Sequence, residues 1–172
     1  MPPIQYYHMI KHFITLTLIA TLSTVSAHAK TMKVPSEDAA VASIAFPDSW
    51  EPEEIENGVA AQSSDEAVYM AIVAVASEKG MDKEIEDTFA MLKEHNVELD
   101  QSTKKENKFK IGGYDAEEML FQGKDEDGAT AVSITFVPIK DKVVVITYWV
   151  STANEAKHAE EVGQIVKSIK GL

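Results

Sequence analysis

Residues 114–150 read YDAEEMLFQGKDEDGATAVSITFVPIKDKVVVITYWV. Three apolar segments follow one another in this stretch, separated by an acidic loop between glycines and by a Lys-Asp turn. Apolar positions recur along each segment with the two-residue period of a β-strand, and short turns join antiparallel neighbours. The stretch therefore predicts a β-meander of three strands, against which the rest of the chain packs.

The third segment, residues 142–150, is predicted to lie centrally in the sheet, because both of its faces are apolar. One face carries Val143, Val145 and Trp149, and the other carries Val144, Ile146, Tyr148 and Val150. A strand that is buried on both faces needs a layer above it and a layer below it. The meander thus predicts helices on the sheet.

Further strands are predicted upstream of the meander, at residues 41–46, 59–62 and 68–76. Ile44 and Phe46 share one face of the first of these strands, and the last has two apolar faces. Between the strands and the meander, residues 100–108 are the most polar part of the chain, which is typical of a surface loop.

Two helices are predicted. The first is capped by Asp82, ends near Asn96, and has Ile85, Phe89 and Leu92 on one face. The second opens with a capping box formed by Thr152 and Glu155, and Gly171 closes it. Its apolar face carries Ala159, Val162, Ile165, Val166 and Ile169. The fold class expected is α+β, an antiparallel sheet of about five to seven strands with helices packed on it in an α/β/α sandwich.

The N-terminal residues 1–29 have the three parts of a secretory signal peptide. Lys11 supplies the positive charge, residues 13–25 form the apolar run, and Ala27-His28-Ala29 forms the cleavage site. We expect cleavage after Ala29, a flexible leader over residues 30–38, and a single domain over residues 39–172. The expected location is the periplasm or the exterior, with no stable membrane anchor after cleavage.

Composition excludes several classes of function. The net charge is −12, which disfavours binding to nucleic acid or to anionic membrane surfaces. Cysteine is absent, so disulfides, thiolate catalysis and cysteine-ligated metals are excluded, and no lipid-anchor cysteine is present. Arginine is absent as well, and with it the bidentate fork that proteins use for phosphate and carboxylate groups.

Several short motifs along the chain resemble those of the PsbP-like fold, and within it the DcrB-like branch of bacterial envelope proteins. They are Phe46-Pro-Asp-Ser-Trp50, Met81-Asp82, Ile111-Gly-Gly-Tyr-Asp-Ala116, Asp127-Gly128, Val137-Pro138 and Ile165-Val-Lys-Ser-Ile-Lys170. The resemblance implies an α/β/α sandwich that serves as an accessory or protein-binding module without a shared catalytic residue. Many DcrB-like proteins are lipoproteins, but this chain lacks the cysteine that lipidation requires, so membrane tethering is not inferred.

Two sets of residues are weak metal candidates. Asp125, Glu126 and Asp127 could offer oxygen ligands to calcium, but their spacing does not match an EF-hand, and a solvated hairpin tip is the favoured interpretation. A zinc site could form on the second helix if Glu155, His158 and Glu161 share one face. Such residues on a surface helix more often face solvent and bind no metal. No metal, no cofactor and no catalytic residue is predicted, and we do not expect an enzyme.

Four large aromatic residues, Trp50, Phe121, Phe136 and Trp149, are the candidate ligand or partner surface. Core packing is the alternative interpretation for each of them, and for Trp50 it is the favoured one. The leading hypothesis is a periplasmic or secreted accessory protein that binds another envelope protein. The second is a carrier or sensor of a small apolar ligand held between sheet and helix. Neither the partner nor the oligomeric state follows from the sequence.

Overall fold

The computed structural model describes residues 29–76 and 78–172. Apart from Ala29, the predicted signal peptide lies outside the described residues. The elements in chain order are β1 Ala29–Val34, β2 Ala42–Pro47, β3 Glu53–Ile55, β4 Gly58–Gln62, β5 Val68–Val75, α1 Glu78–Glu94, β6 Glu98–Ile111, β7 Tyr114–Asp125, β8 Gly128–Ile139, β9 Lys142–Ser151, α2 Glu155–Lys167 and β10 Lys170–Gly171.

Seven strands form one antiparallel sheet in the order β3-β4-β5-β9-β8-β7-β6. The predicted meander is confirmed as β7, β8 and β9. Strand β9 stands fourth of seven, as its two apolar faces required. The upstream strands predicted from alternation are confirmed as β2, β4 and β5.

A second sheet of three strands, in the order β1-β2-β10, packs beside α2. The prediction of a leader over residues 30–38 is wrong for β1, which pairs with β2 along its whole length. Met32 and Val34 are buried there, so β1 contributes to the core. Gly171, predicted to close the second helix, instead belongs to β10 opposite Ala42.

The large sheet separates two hydrophobic cores. On one face, α1 packs over Val73, Val145, Phe121, Ile134 and Phe136. On the other face, α2 and the small sheet cover Met70, Ile72, Val144, Ile146 and Val150. Alternate residues of β5 and β9 therefore enter different cores, which is the α/β/α arrangement that the sequence predicted. Among the described residues, no helix is long and apolar enough to cross a membrane.

Both helices begin at other residues than predicted. Helix α1 starts at Glu78, so Asp82 lies inside it and is not its cap. Gly80, in the first turn, lies close to β5, and a Cβ there would be 3.1 Å from the Val75 Cβ. Helix α2 starts at Glu155, without the capping box, because the backbone N–H of Thr152 donates to the Ala129 carbonyl at 2.8 Å and keeps that residue beside the strands.

Residues 100–108 belong to β6, and the predicted loop is wrong there. Strand β6 is the edge of the sheet and is exposed on both faces along most of its length. Because neither face is buried, its sequence lacks the alternation of apolar and polar residues that marks a half-buried strand. Its register shifts between Asp100 and Lys105. The Thr103 hydroxyl fills part of the gap by accepting from the Gln122 N–H at 2.9 Å.

Candidate binding groove between helix α2 and the sheet

The four aromatic residues proposed as a surface do not meet in one place. Trp50 is 2% exposed and packs near Phe46 in the core beneath the small sheet. Phe121 and Phe136 are buried in the opposite core, under α1. Trp149 is half-buried on that same side and stacks on Tyr69 with ring centroids 4.2 Å apart. Trp50, Phe121 and Phe136 therefore pack in the hydrophobic cores and do not form a surface for a ligand or partner.

The acidic hairpin tip is organised by hydrogen bonds within the protein. Asp125 Oδ1 accepts from the backbone N–H groups of Asp127 and Gly128, at 2.9 and 3.0 Å. Glu126 accepts from Asn96 Nδ2 at 3.0 Å. Asp125 thus acts as a turn residue in the way that aspartates commonly do. Within residues 29–76 and 78–172, no three His, Asp or Glu side chains are grouped as metal ligands.

His158 fastens α2 to the loop between β4 and β5. Its side chain is buried, with Nε2 lying 3.1 Å from Asp65 Oδ2 and Nδ1 lying 3.5 Å from Glu161 Oε2. Lys157 also pairs with Asp65, and the Ser63 hydroxyl donates to Asp65 Oδ1 at 2.7 Å. Hydrogen bonds from these donors hold the pKa of Asp65 well below its usual range, and the bond from Lys157 has the largest effect. The sequence indicated the helical residues of this cluster but gave no sign of Asp65, which lies 93 residues away.

A groove of about 430 Å³ opens between α2 and the sheet. One wall is the face of α2 that the sequence identified as apolar. The floor crosses the four strands β5, β9, β8 and β7, and the far wall is the end of β6. The apolar and aromatic lining residues include Met70, Phe109, Ile146, Tyr148, Val162 and Val166, and Gly163 also lines the groove. Its size lies within the range of small-molecule pockets.

The groove exists because the sheet is wider than the helix that covers it. Helix α2 buries Ile165 in the core, whereas Val162 and Val166, one turn apart on its flank, remain half-buried. Phe109, at the edge strand, is 39% exposed and faces the same space. An apolar side chain that water reaches from one side loses part of its burial energy, and a ligand that covers it restores that part.

Gly163 keeps the groove open in its middle. A Cβ built at this helical position has no atom within 4 Å, so the space in front of it is empty. Alanine is preferred over glycine inside a helix by about 0.5–1 kcal/mol. A methyl group would therefore meet no neighbouring atom, and a larger side chain would extend into the groove.

A row of polar groups crosses the floor and is hydrogen-bonded within itself. The Ser133 hydroxyl donates to Glu118 Oε1 at 2.7 Å, and Asn107 Nδ2 donates to Glu118 Oε2 at 3.0 Å. Thr135 lies beside Ser133, with 3.3 Å between the two hydroxyl oxygens. Next to this row, burial together with the negative charges of Glu155 and Glu118 raises the pKa of Tyr148 to about 12. The phenol thus remains a neutral donor at physiological pH.

A second cavity, of about 580 Å³, lies under α1 on the other face of the sheet. It is more polar: the hydroxyl oxygens of Thr88 and Thr147 lie 3.4 Å apart within it, and Glu84 reaches its rim. Burial raises the pKa of the Glu84 carboxyl. The mixed lining fits an apolar ligand less well than the α2 groove does.

No family model and no curated protein matches the sequence. Solved structures match the fold. PsbP from the cyanobacterium Synechocystis is 7% identical with a TM-score of 0.58, over 87% of this chain and 96% of that one. A protein from Bacteroides thetaiotaomicron is 15% identical with a TM-score of 0.55, over 83% of this chain and 48% of that one.

The Ran-binding protein Mog1p of Saccharomyces cerevisiae is 11% identical with a TM-score of 0.50, over 84% of this chain and 96% of that one. At such identities, the likeness defines the fold and not the function. The chain thus has the PsbP-like fold, shared with Mog1p, and the resemblance seen in the sequence is confirmed at that level. Assignment to the DcrB-like branch stays a prediction.

Proposed function

We propose that this chain is an exported, non-enzymatic binding protein that holds an apolar ligand in the groove between α2 and the sheet. The groove itself is the observation that carries the proposal. Its helix wall is apolar, its middle is empty in front of Gly163, and its volume of about 430 Å³ suits a small molecule. This is the ligand carrier of the second sequence hypothesis, with lining residues other than Phe121, Phe136 and Trp149.

The polar groups nearby support binding over catalysis. Ser133 donates to one oxygen of Glu118, and the other oxygen accepts from Asn107, so this carboxylate belongs to a hydrogen-bonded row on the groove floor. His158 is occupied by Asp65 in a contact that holds α2 in place. Export is supported by the N-terminal sequence pattern, and an exported binding protein of this acidic composition would act in the periplasm or outside the cell.

A second candidate function is an accessory role through contact with another envelope protein. The exposed Phe109 beside the open edge β6 favours it, and the fold is shared with a protein described as Ran-binding. Strand addition at this edge is disfavoured by the lysines that β6 carries, among them Lys104, Lys105 and Lys108. A photoactivatable residue in place of Phe109 would cross-link a defined envelope protein if this role holds, and only scattered products if it does not.

Titration with an uncharged apolar fluorophore, N-phenyl-1-naphthylamine, tests the leading proposal. We expect saturable binding at one site per chain. Gly163→Leu should weaken it at least about tenfold, because the leucine fills the groove. Ala156→Leu, on an exposed position of the same helix outside the groove, is the matched control and should leave binding unchanged. Equal binding by the wild type and Gly163→Leu would overturn the proposal.

A further inference from the structure

The α2 groove has one cationic end. Lys167, in the last turn of α2, and Lys110, next to the last residue of β6, both line the groove. The whole chain carries a net charge of −12, so most of its surface repels anions. This end of the groove is a place where an anion meets positive charge next to apolar side chains.

The two lysines differ in what they already contact. Lys110 Nζ lies 2.6 Å from Asp115 Oδ1, so an acidic partner offsets its charge. No carboxylate in the described part of the chain lies within ion-pair distance of Lys167. Lys167 is exposed, and its ammonium group is available to an incoming ligand.

The negative charge of the groove lies on its floor and is already hydrogen-bonded. Both oxygens of Glu118 accept bonds from neighbours, Ser133 on one side and Asn107 on the other. A cationic group could reach Glu118 only by competing with these donors. The groove therefore offers a free cation at its mouth and a compensated anion on its floor.

We infer that the groove takes an amphiphile with one apolar chain and a carboxylate head, with the chain along Val162, Gly163 and Val166 and the head at Lys167. The inference rests on the proposed function, since it names the class of ligand for the same groove. A carboxylate suits the site better than a phosphate monoester, because one lysine balances its single charge, whereas the charge of about −1.5 to −2 on a phosphate would stay partly uncompensated in a chain of net charge −12.

Three ligands with the same tail and different heads test the inference by calorimetry or by displacement of N-phenyl-1-naphthylamine. They are dodecanoate, methyl dodecanoate and dodecyltrimethylammonium, the two ionic compounds below their micelle concentrations and the ester below its solubility limit. We expect dodecanoate to bind about three- to tenfold more tightly than the neutral ester, which is the effect of an ion pair with an exposed lysine. The ammonium compound should bind most weakly, because Lys167 repels its positive head.

Lys167→Gln should remove most of the preference of the site for dodecanoate, with a much smaller effect on affinity for the uncharged ester. Lys170→Gln is the matched control, because Lys170 is an exposed lysine three residues on that does not line the groove. It should preserve the preference. Since Lys167 is exposed, its replacement is not expected to disturb folding, and an unchanged melting temperature checks this.

Equal affinity for all three heads, or a preference for dodecanoate that survives Lys167→Gln, would overturn the carboxylate assignment. If Gly163→Leu still abolished binding of the ester in that case, the groove would remain the binding site. Tighter binding of the ammonium compound would assign the head to Glu118 in place of Lys167. Failure of all three to bind would overturn the inference. The titration with the uncharged N-phenyl-1-naphthylamine tests the proposed function separately.

Discussion

Asp65 is held in its ionised form by Lys157, Ser63 and His158, all within hydrogen-bonding reach. Its pKa is lowered in the folded state, so its contribution to stability is fully present above the pKa of the unfolded chain, about 3.9. That contribution is lost as the pH falls through and below this value. The docking of the N-terminal end of α2 should therefore weaken in acid.

Urea unfolding between about pH 6 and pH 3 tests this dependence. The unfolding midpoint of the wild type should fall more steeply with decreasing pH than that of Asp65→Asn. The variant should be less stable near pH 6, and the difference between the two proteins should narrow as the pH falls below about 4. Parallel pH profiles for the two proteins would contradict the assigned role of Asp65.

Replacing glycine by alanine should have opposite effects on stability at two positions, Gly58 and Gly163. At Gly58, a Cβ would lie 2.0 Å from the Ile72 carbonyl oxygen, which belongs to the neighbouring strand and cannot withdraw. Gly58→Ala should lower the free energy of unfolding by about 1–3 kcal/mol. Gly163→Ala should raise it by about 0.5–1 kcal/mol, because the added methyl group meets no atom and favours the helix. Denaturant titration of the two variants measures both, and a loss of stability in Gly163→Ala would contradict the open groove.

The residues of these sites were predictable to very different degrees. An Asn-Gly pair such as Asn57-Gly58 is typical of a tight turn, whereas the contact of Gly58 with Ile72 depends on the pairing of β4 with β5. His158 was recognised as part of a helical set. Asp65 was not identified as its partner, because local sequence patterns do not report contacts between segments that lie far apart in the chain. Trp50 was favoured as a core residue, and its 2% exposure is in keeping with that.

At the scale of elements, the central position of β9 and the edge position of β6 predict different amide protection. Strand β9 is paired on both sides and buried, whereas β6 is paired only with β7 and is exposed along most of its length. Hydrogen exchange should be slowest in β9 and much faster in β6, where opening needs no disruption of the core. Equal protection of the two strands would contradict this topology.

Within α2, burial divides the helix into a structural side and a groove side. Ile165 is 1% exposed, so Ile165→Ala should cost about 2–5 kcal/mol of stability. Val166 is half-buried and lines the groove, so Val166→Ala should cost less stability and reduce affinity for N-phenyl-1-naphthylamine. Thermal unfolding and fluorescence titration of both variants separate the two effects. A Val166→Ala protein with unchanged affinity would place the ligand elsewhere.

The elements that the sequence predicted well are those with strong local periodicity, namely β5, β8, β9 and both helices. The errors occur where tertiary structure overrides local pattern. Strand β1 looked like a leader because its one buried face holds only Met32 and Val34. Strand β6 looked like a loop because an exposed edge carries no apolar alternation. The start of α2 was misplaced because β9 continues through Ser151.

At the scale of the whole molecule, the fold was more predictable than the site. An α/β/α sandwich follows from strands with two apolar faces, and this held. The groove follows from a difference in width between the sheet and α2, which no local pattern encodes. Large aromatic residues were therefore the natural candidates, yet Phe121 and Phe136 proved to be buried, and the aromatic residues that line the groove are Phe109 and Tyr148.

The central claim is that the space between α2 and the sheet is the binding site. Amide chemical shifts of the full chain, followed by NMR during titration with N-phenyl-1-naphthylamine, test it most directly. The largest changes should map to Tyr148, Val162, Gly163 and Val166, which line the groove. Changes concentrated instead around Thr88, in the cavity under α1, would contradict the claim.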